Sequence, residues 1–474
     1  MFNFKIPDSF ILLSSKIVPA FIGILTTPIL TNLLSLKEYG SFTLLFTVLT
    51  LIFTFSSSWV TSINIRFYPK FPNSNLDSFL NILLLYSIIV SIILWTSCYF
   101  FYYKIDIFQF YIGILWILFN TMFDFLINKL RVRNNLSIYS IILSLKPLLS
   151  LVLTYVLLIY YRKSFDIILI SQIVVTAILS IYVSTKIKNS NEQEINSNIN
   201  LQILLKYGLP VAFSNIIIFL LSYADRFIIF RFLGFEKLGI YSAIYDISEK
   251  SIFFINSLIL LTTSINSFKI FENFGKIKTR NYLQNVLNIY IIFIPFLILI
   301  FFLSENTILK YIFPESYQEA FKLFPYISIG GFLVGIMHRF SIILSIYEKT
   351  SLIFKTACIA LLSNIALNFI LIKYFDISGA VISTVLTYFL WLILIKRESD
   401  KFLIIQFPYK IIIQIFSLWI IIFLIFNNLI FNLINNEIFK MLTILILVPI
   451  LYFSYILLNK NLYLHFLKFK KLLN

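Results

Sequence analysis

The chain has 474 residues and a net charge of +17; 60% of its residues are hydrophobic and only 12% are charged. A soluble protein has roughly a quarter of its residues charged, so the polar residues here are too few to form a solvated shell. This balance excludes a cytosolic enzyme, a disordered chain and a disulfide scaffold, and it predicts an all-α polytopic membrane protein. At about 20 apolar residues per membrane helix, the composition supplies about fourteen spans.

Fourteen apolar stretches follow one another, each long enough to cross a bilayer as a helix. They run at 10–34, 41–65, 79–101, 108–128, 138–160, 165–185, 207–233, 239–267, 283–303, 323–347, 352–372, 377–395, 408–432 and 438–458. The eighth is the weakest candidate, because Asp246, Glu249 and Lys250 interrupt it. The first follows a lone Lys5 and is longer than a signal-peptide core, so we expect it to be retained.

The lysines and arginines between the stretches predict the topology. Basic proteins often bind nucleic acids, but here the basic residues form short clusters between apolar stretches, which is typical of cytoplasmic loops. With a cytoplasmic N-terminus, 23 basic residues fall on the inner side and 9 on the outer side. We therefore expect both termini to be cytoplasmic, and no nucleic-acid partner.

A polar connection at 187–206 contains the run KNSNEQEINSNIN, which has the composition of a flexible linker. It divides the chain after the sixth predicted span. We expect an N-terminal six-helix lobe at 1–186, a C-terminal six-helix lobe at 207–396, and two peripheral helices with a basic tail at 397–474.

An internal repeat accompanies this division. Residues 33–42 (LLSLKEYGSF) match residues 232–241 (FLGFEKLGIY) at an offset of 199, which pairs Gly40 with Gly239. Both halves enter the membrane from the same side, which predicts parallel repeats about an axis along the membrane normal. Secondary transporters with this arrangement bind their substrates at the repeat interface.

Signatures of catalysis and nucleotide binding are absent. The chain has two histidines and no HExxH, CxxC, Walker A or G-x-S-x-G pattern. His338, the histidine within a span, lies beside Arg339 and is interpreted as a polar contact rather than a catalytic group. Cys98 and Cys358 lie in apolar stretches and predict neither a disulfide nor a metal site. We therefore expect no enzymatic activity, no cofactor and no metal.

Charged residues deep within the apolar stretches are the candidate functional residues, because each costs about 2.5–3.5 kcal/mol at mid-helix. The basic ones are Lys16, Lys146, Arg226, Arg231, Lys250 and Arg339, and the acidic ones are Asp124, Asp225, Asp246 and Glu249. Arg231 lies near a helix end and is interpreted as reaching the membrane interface. For Asp246 with Lys250, and for Asp124 with Lys146, mutual neutralisation is the alternative to a functional role.

Lys16, Arg226 and Arg339 are the better candidates for binding an anionic ligand. Lys16 has no acidic neighbour on its own helix, and Arg339 has none nearby. An arginine can hold a phosphate through two parallel hydrogen bonds and stays charged in a low dielectric. In the first span, Pro19, Gly23 and Pro28 predict a helix that either bends as a gate or carries a static kink.

Three segments resemble the polysaccharide (O-antigen-type) flippases of the multidrug/oligosaccharidyl-lipid/polysaccharide exporter superfamily. Residues 208–247 look like the start of the second half of these proteins, and the matching positions are Asp225, Arg226, Leu233, Gly234, Leu238, Gly239 and Tyr241. Residues 33–42 are similar to the first-half counterpart, where Lys37 and Glu38 replace a frequent Pro-Glu pair. Residues 363–388 resemble the eleventh and twelfth spans, with matches at Asn364, Asn368, Gly379 and Ala380.

The resemblance implies two six-helix lobes whose central cavity opens alternately to each side of the bacterial cytoplasmic membrane. A protein of this family flips an undecaprenyl-diphosphate-linked oligosaccharide, such as an O-antigen or capsule repeat unit. The implied partners are this lipid-linked oligosaccharide, membrane lipids, and a polymerase or other glycan-assembly proteins.

For the site residues, the resemblance implies that cations in the cavity compensate the diphosphate. The candidates for this role are Lys16, Arg226, Arg339, Lys250 and Lys146. Coupling to protons, to sodium, to the membrane potential or to none of them is left open, and the candidates for ion coupling are Asp225, Glu249, Asp246 and Asp124. The helix-1 hinge is expected at Pro19, Gly23 and Pro28.

Two alternatives compete with this interpretation. A multidrug or organic-cation exporter of the same fold is expected to have a more acidic and less basic cavity. A membrane transferase or polymerase is disfavoured, because no outer loop is long enough to fold as a domain and a catalytic histidine is missing.

Overall fold

The structure is a computed structural model, and its regular elements are helices, as the composition predicted. It describes residues 8–68, 76–101, 106–133, 135–187, 201–305, 307–434 and 436–464. Most of the predicted linker (188–200) and the end of the basic tail (465–474) lie outside these ranges.

Six helices precede the linker. They are α1 (Asp8–Leu33), α2 (Leu36–Phe67), α3 (Leu76–Phe101), α4 (Ile107–Val132), α5 (Leu136–Tyr160) and α6 (Asp166–Lys186). The Ser35 side chain caps α2 by accepting a hydrogen bond from the backbone N–H of Glu38 at 3.2 Å. The Glu38 carboxylate accepts a second one, from the backbone N–H of Phe165 at 2.8 Å, and so joins the starts of α2 and α6.

The remaining helices begin at Leu201, within the predicted linker. They are α7 (Leu201–Ser304), α8 (Ile308–Ile312), a 3-10 helix (Glu315–Leu323), α9 (Phe324–Ile346), α10 (Thr350–Asp400), α11 (Tyr409–Ile425), a π-helical turn (Phe426–Ile430), α12 (Phe431–Leu433) and α13 (Glu437–Leu458).

The two longest helices are interrupted. Within α7, φ is +83° at Gly234 and +73° at Gly275. A left-handed residue cannot continue a right-handed helix, so α7 consists of three helical segments. In the same way α10 is divided at Asp376, where φ is +57° and ψ is −146°.

Eleven helices among the described residues are long and apolar enough to cross a membrane, which is the architecture of a multi-pass membrane protein. Since α7 and α10 each count once among the eleven although they break internally, the number of fourteen spans stays a prediction.

The chain forms two compact units. The first unit comprises Met1–Phe230 and Gly234–Gly239, and the second comprises Arg231–Leu233 and Ile240–Asn474. In the first unit α1 packs on α5, while α4 packs on α2 and α6; in the second unit α9 packs on α10. The first unit thus includes the start of α7, and the predicted lobe boundaries at 186 and 207 stay predictions.

The two repeat motifs contact each other at residues 36–40 and 235–239, which belong to the first unit. A Cβ atom added to Gly40 would lie 1.9 Å from the carbonyl oxygen of Phe235, and one added to Gly239 would lie 2.4 Å from that of Leu36. Leu36 and Phe235 are separated by the same 199 residues as the two glycines. The contact is therefore reciprocal and follows the offset of the sequence repeat, and glycine is required because backbone approaches backbone.

Candidate functional site

A cavity of about 520 Å³ lies within the first unit, among α1, α2, α4, α5 and α6. Much of its wall is aromatic or aliphatic, with Phe46, Trp116 and Phe123 among its larger side chains. Its polar lining residues are Ser15, Thr26, Thr50, Asn120, Asp124, Lys146, Ser150, Thr154 and Gln172. A mostly apolar cavity with a few convergent polar groups is the usual form of a ligand site.

Lys146 projects from α5 into this cavity. Its ammonium group donates a hydrogen bond to Asn120 Oδ1 at 2.8 Å and lies 4.3 Å from the centre of the Phe123 ring. The ring face stabilises the cation, and the hydrogen bond to Asn120 uses one of the three donors of an ammonium group. Lys146 is therefore held in place by neutral groups and keeps donors for a ligand.

Asp124 of α4 supplies the opposite charge in the same cavity. Its carboxylate accepts a hydrogen bond from the Thr61 hydroxyl at 2.6 Å and another from Asn128 Nδ2 at 3.2 Å. The charges of Asp124 and Lys146 attract each other, but among the described side chains the two form no direct ion pair. The cavity thus contains a cation that can bind an anionic group and a carboxylate that can take up a proton. Each of the two is hydrogen-bonded to its own set of neutral residues.

The other candidates in the first unit lie on α1 and α7. Arg226 and Asp225 are buried, with 3% and 4% of their surface exposed, and the Arg226 guanidinium carbon lies 4.6 Å from the centre of the Tyr223 ring. Lys16 is exposed. Of the proposed hinge residues, Pro19 lines the cavity, and α1 is continuous through both of its prolines.

In the second unit, Arg339 is enclosed by protein, with 0% of its surface exposed. Its Nη1 donates a hydrogen bond to the carbonyl oxygen of Gly335 at 2.7 Å, and its guanidinium carbon lies 4.2 Å from the centre of the Tyr290 ring. The Tyr290 hydroxyl in turn donates to Asn256 Oδ1 at 2.7 Å. Arg339 is thus held by a carbonyl group and an aromatic face, and the described structure gives it no acidic partner.

Two charged residues on the middle segment of α7 form an ion pair. Lys250 and Asp246 are 3.2 Å apart and one helical turn from each other, which is the neutralising arrangement weighed from the sequence. Glu249 is half-buried, and Arg231, at the end of the preceding segment, is exposed.

The structure therefore brings Lys146 and Asp124 into one cavity and Lys250 and Asp246 into one pair. The sequence reasoning missed the neutral partners of the cavity, which are Asn120, Thr61 and Asn128. A signal for two of them was present, since Asn120, Asp124 and Asn128 recur every fourth residue and share one face of a helix.

The fold is that of flippases and multidrug transporters. It is similar to the lipid II flippase MurJ in an inward closed conformation, with a TM-score of 0.74, 15% identity, and coverage of 96% of this chain and 99% of that one. It is also similar to an inward-facing multidrug resistance MATE family transporter of the MOP superfamily (TM-score 0.58, 14% identity, 82% and 97% covered). For the MATE transporter VcmN of Vibrio cholerae the TM-score is 0.56, at 11% identity, with 83% and 95% covered. Identities this low establish the fold alone, and they confirm the predicted polytopic architecture.

The sequence identifies the family among proteins of this fold. The profile of the family described as "Polysaccharide biosynthesis protein" matches residues 7–264. Because this match covers more than half of the chain, the protein belongs to that family, as the motifs had predicted. A comparison with curated protein sequences finds no match.

Proposed function

We propose that the protein flips a polyprenyl-diphosphate-linked oligosaccharide, such as an O-antigen or capsule repeat unit, across the bacterial cytoplasmic membrane. One observation carries the proposal: the Lys146 ammonium group lies in a cavity of the first unit and donates its hydrogen bond to a neutral residue, Asn120. A diphosphate cannot enter a low-dielectric site without compensating charge. Membership of a polysaccharide biosynthesis family and the fold of a lipid II flippase support the same conclusion.

Transport proceeds by alternating access, with no covalent step and no cofactor, so the protein is not an enzyme. The sugar and diphosphate cross through a polar path while the lipid tail stays in the bilayer. The six-helix lobes at 1–186 and 207–396 move as the repeats of other transporters do, and α1 bends at Pro19, Gly23 and Pro28. Both termini are cytoplasmic.

Lys146 is the main candidate among the cations proposed to bind the diphosphate, because its ammonium group has hydrogen-bond donors left for a ligand. The other members are Lys16, Arg226, Arg339 and Lys250. Asp124 leads the proposed ion-coupling residues for a similar reason, since it shares the cavity with Lys146; the other members are Asp225, Glu249 and Asp246. The lipid-linked substrate, membrane lipids and a glycan polymerase are the expected partners.

An exporter of organic cations is the second candidate, and Asp124 is the observation that favours it. A carboxylate in a partly aromatic cavity suits a cationic drug, and the fold is shared with MATE transporters. Lys146 in the same cavity opposes a cationic ligand. Export of cationic dyes that survives Lys146→Gln and is lost in Asp124→Asn would favour this candidate.

Deletion of the gene tests the proposed function in the cell. Lipid-linked repeat units should accumulate on the cytoplasmic face of the membrane and be detected in lipid extracts. Wild-type protein and the Lys163→Gln variant, which changes an exposed lysine, should restore export, and Lys146→Gln should not. A deletion strain with normal levels of lipid-linked repeat units would rule the function out.

A further inference from the structure

Polar side chains continue from the cavity along the interface between α2 and α4. We call them the α2–α4 seam; its members are Ser57, Thr61 and Asn64 on α2 and Thr121, Asp124 and Asn128 on α4. Within each helix the three residues are three or four positions apart, so each set occupies one face. The hydrogen bond from Thr61 to Asp124 shows that the two faces meet.

Four side-chain atoms of the seam are buried without a hydrogen-bond partner among the described residues: Ser57 Oγ, Thr121 Oγ1, and both Oδ1 and Nδ2 of Asn64. The exposed fraction is 4% for Ser57, 1% for Thr121 and 0% for Asn64. Helical serines and threonines often bond to the carbonyl group one turn earlier, and Thr47 on the same helix does so. Ser57 and Thr121 do not.

Buried polar groups almost always find a partner, either in the protein or in ordered water. A single unsatisfied hydroxyl can be a local imperfection of packing. Four such atoms on two facing helix surfaces, on both sides of the Thr61–Asp124 bond, indicate bound water instead, because water fits sites with several polar neighbours.

The seam reaches the cavity at its middle and charged groups near one end. In the middle, Asp124 lines the cavity. At the end formed by Asn64 and Asn128, Asn128 is followed by Lys129, whose ammonium group lies 3.0 Å from Asp77 Oδ1, and Arg133 Nη2 lies 2.7 Å from Asp77 Oδ2. The Asp77 side chain is 36% exposed, so this end reaches the surface of the first unit. At 1.5 Å per residue, Asp124 and Arg133 are about 14 Å apart along α4.

We propose that the α2–α4 seam holds a file of water molecules that joins Asp124 to the surface at Asp77 and Lys129, and that this water carries protons to and from Asp124. A hydronium ion in the seam gives its proton to the Asp124 carboxylate and remains as water; the reverse step returns the proton. The Thr61 hydroxyl can both donate and accept, so it can pass the proton on. Asp124 can then exchange protons while a ligand occupies the cavity.

The two parts of the proposal have different supports. The hydration of the seam stands on the unpartnered atoms alone, whereas proton transfer rests on the ion coupling proposed above for Asp124. The charged or titratable groups that act on Asp124 are Lys146 and Tyr139, both on α5. Lys129 and Asp77 are at the far end of the seam.

Thiol accessibility to silver ions tests the hydration. In the full chain with Cys98 and Cys358 changed to serine, the single variants Ser57→Cys, Thr121→Cys and Asn64→Cys are placed in nanodiscs and treated with Ag⁺, a small ion that travels through water. The protein is then unfolded, and the remaining free thiols are labelled with a fluorescent maleimide. The control is Ile63→Cys, since Ile63 is 0% exposed and belongs to an apolar cluster.

The seam cysteines should react with Ag⁺ at least tenfold faster than the cysteine of the Ile63→Cys control. Equal protection of all four positions would overturn the proposal, and so would equal reactivity. Ser57→Cys and Thr121→Cys are nearly isosteric, so the test holds even if Asn64→Cys fails to fold. If the seam cysteines react but the protein has no flippase activity, the proposed function is refuted and the hydration of the seam is still supported.

The proton-carrying role needs a rate measurement. After a pH jump, infrared spectroscopy follows the protonated carboxyl band that is absent from Asp124→Asn. Asn64→Leu keeps the side-chain shape and removes polar atoms between Asp124 and Asp77, so it should slow the appearance of the band at least tenfold without changing its final amplitude. Thr121→Val removes a polar atom on the other side of Asp124 and serves as the control, with a rate close to that of the wild type. An unchanged rate in Asn64→Leu would overturn the proton route, because a role in packing alone would alter only thermal stability.

Discussion

Alanine at Gly40 or Gly239 should destabilise the protein in a non-additive way. At Gly40 the new Cβ would lie 1.9 Å from the Phe235 carbonyl oxygen, against 3.4 Å for ordinary contact, so the two segments must separate by about 1.5 Å. At Gly239 the distance to the Leu36 carbonyl oxygen is 2.4 Å, which requires a separation of about 1.0 Å. In both cases the opposing atom belongs to the backbone and cannot rotate away.

Overpacking of this kind usually costs about 1–3 kcal/mol. Because rigid helix starts must move, we expect a loss of about 3 kcal/mol for Gly40→Ala and about 2 kcal/mol for Gly239→Ala. The same separation of the two segments relieves both clashes. The double variant should therefore lose about 3 kcal/mol rather than the sum of about 5, which is a coupling energy of about 2 kcal/mol.

The assay is reversible unfolding in mixed micelles, followed by tryptophan fluorescence, for the wild type, both single variants and the double variant. Gly330→Ala is the control, since its Cβ would lie 3.3 Å from a carbon of the Tyr388 side chain, which can adjust; its loss should stay below about 1 kcal/mol. Additive losses, or single losses no larger than that of the control, would refute the backbone contact between the repeat motifs.

Three further predictions concern charged groups. Lys146→Gln should weaken the binding of inorganic diphosphate at least tenfold, since the attraction of two unit charges at about 4 Å is worth about 4 kcal/mol at an effective dielectric constant of 20. Calorimetry in nanodiscs measures the affinity. An unchanged affinity would show that Lys146 does not bind the diphosphate. Asp77→Asn should lower the free energy of unfolding by about 1–3 kcal/mol, because it leaves the charge of Lys129 buried without its carboxylate partner; the Lys129 side chain is only 9% exposed. Denaturant titrations measure this loss. An unchanged free energy of unfolding would show that the Lys129 ammonium group is solvated. Burial raises the pKa of the Glu305 carboxyl to about 7, so the folded state favours the protonated form and loses stability as the pH rises from about 4.5 through 7. Glu305→Gln should therefore raise the unfolding temperature at pH 8 but not at pH 4, and an equal shift at both would contradict this cause.

Membrane class and helix positions could be predicted from the sequence because they depend on the length of apolar stretches. The offset of the repeat was also visible, and the contact of Gly40 with Gly239 follows it. The number of spans stays a prediction, because α7 and α10 each count once among the eleven helices, although Gly234, Gly275 and Asp376 interrupt them between apolar stretches of the sequence.

Parts of the candidate site were visible for a different reason. A charge within an apolar stretch is conspicuous, so Lys146 and Asp124 could be picked out singly. Their separate partners could not, since Asn120 and Thr61 are neutral and gain meaning only when α2, α4 and α5 are packed together. Arg339 shows the same limit, because the Tyr290 ring that encloses it comes from another helix.

Flipping by the purified protein tests the central claim most directly. Lipid-linked oligosaccharides extracted from the deletion strain are placed in both leaflets of liposomes, and a membrane-impermeant glycosidase digests those that face outward. With wild-type protein or Lys163→Gln the enzyme should digest the whole pool, whereas with Lys146→Gln the inner pool should stay protected, as it does in protein-free liposomes. An inner pool that stays protected with the wild-type protein would contradict the account.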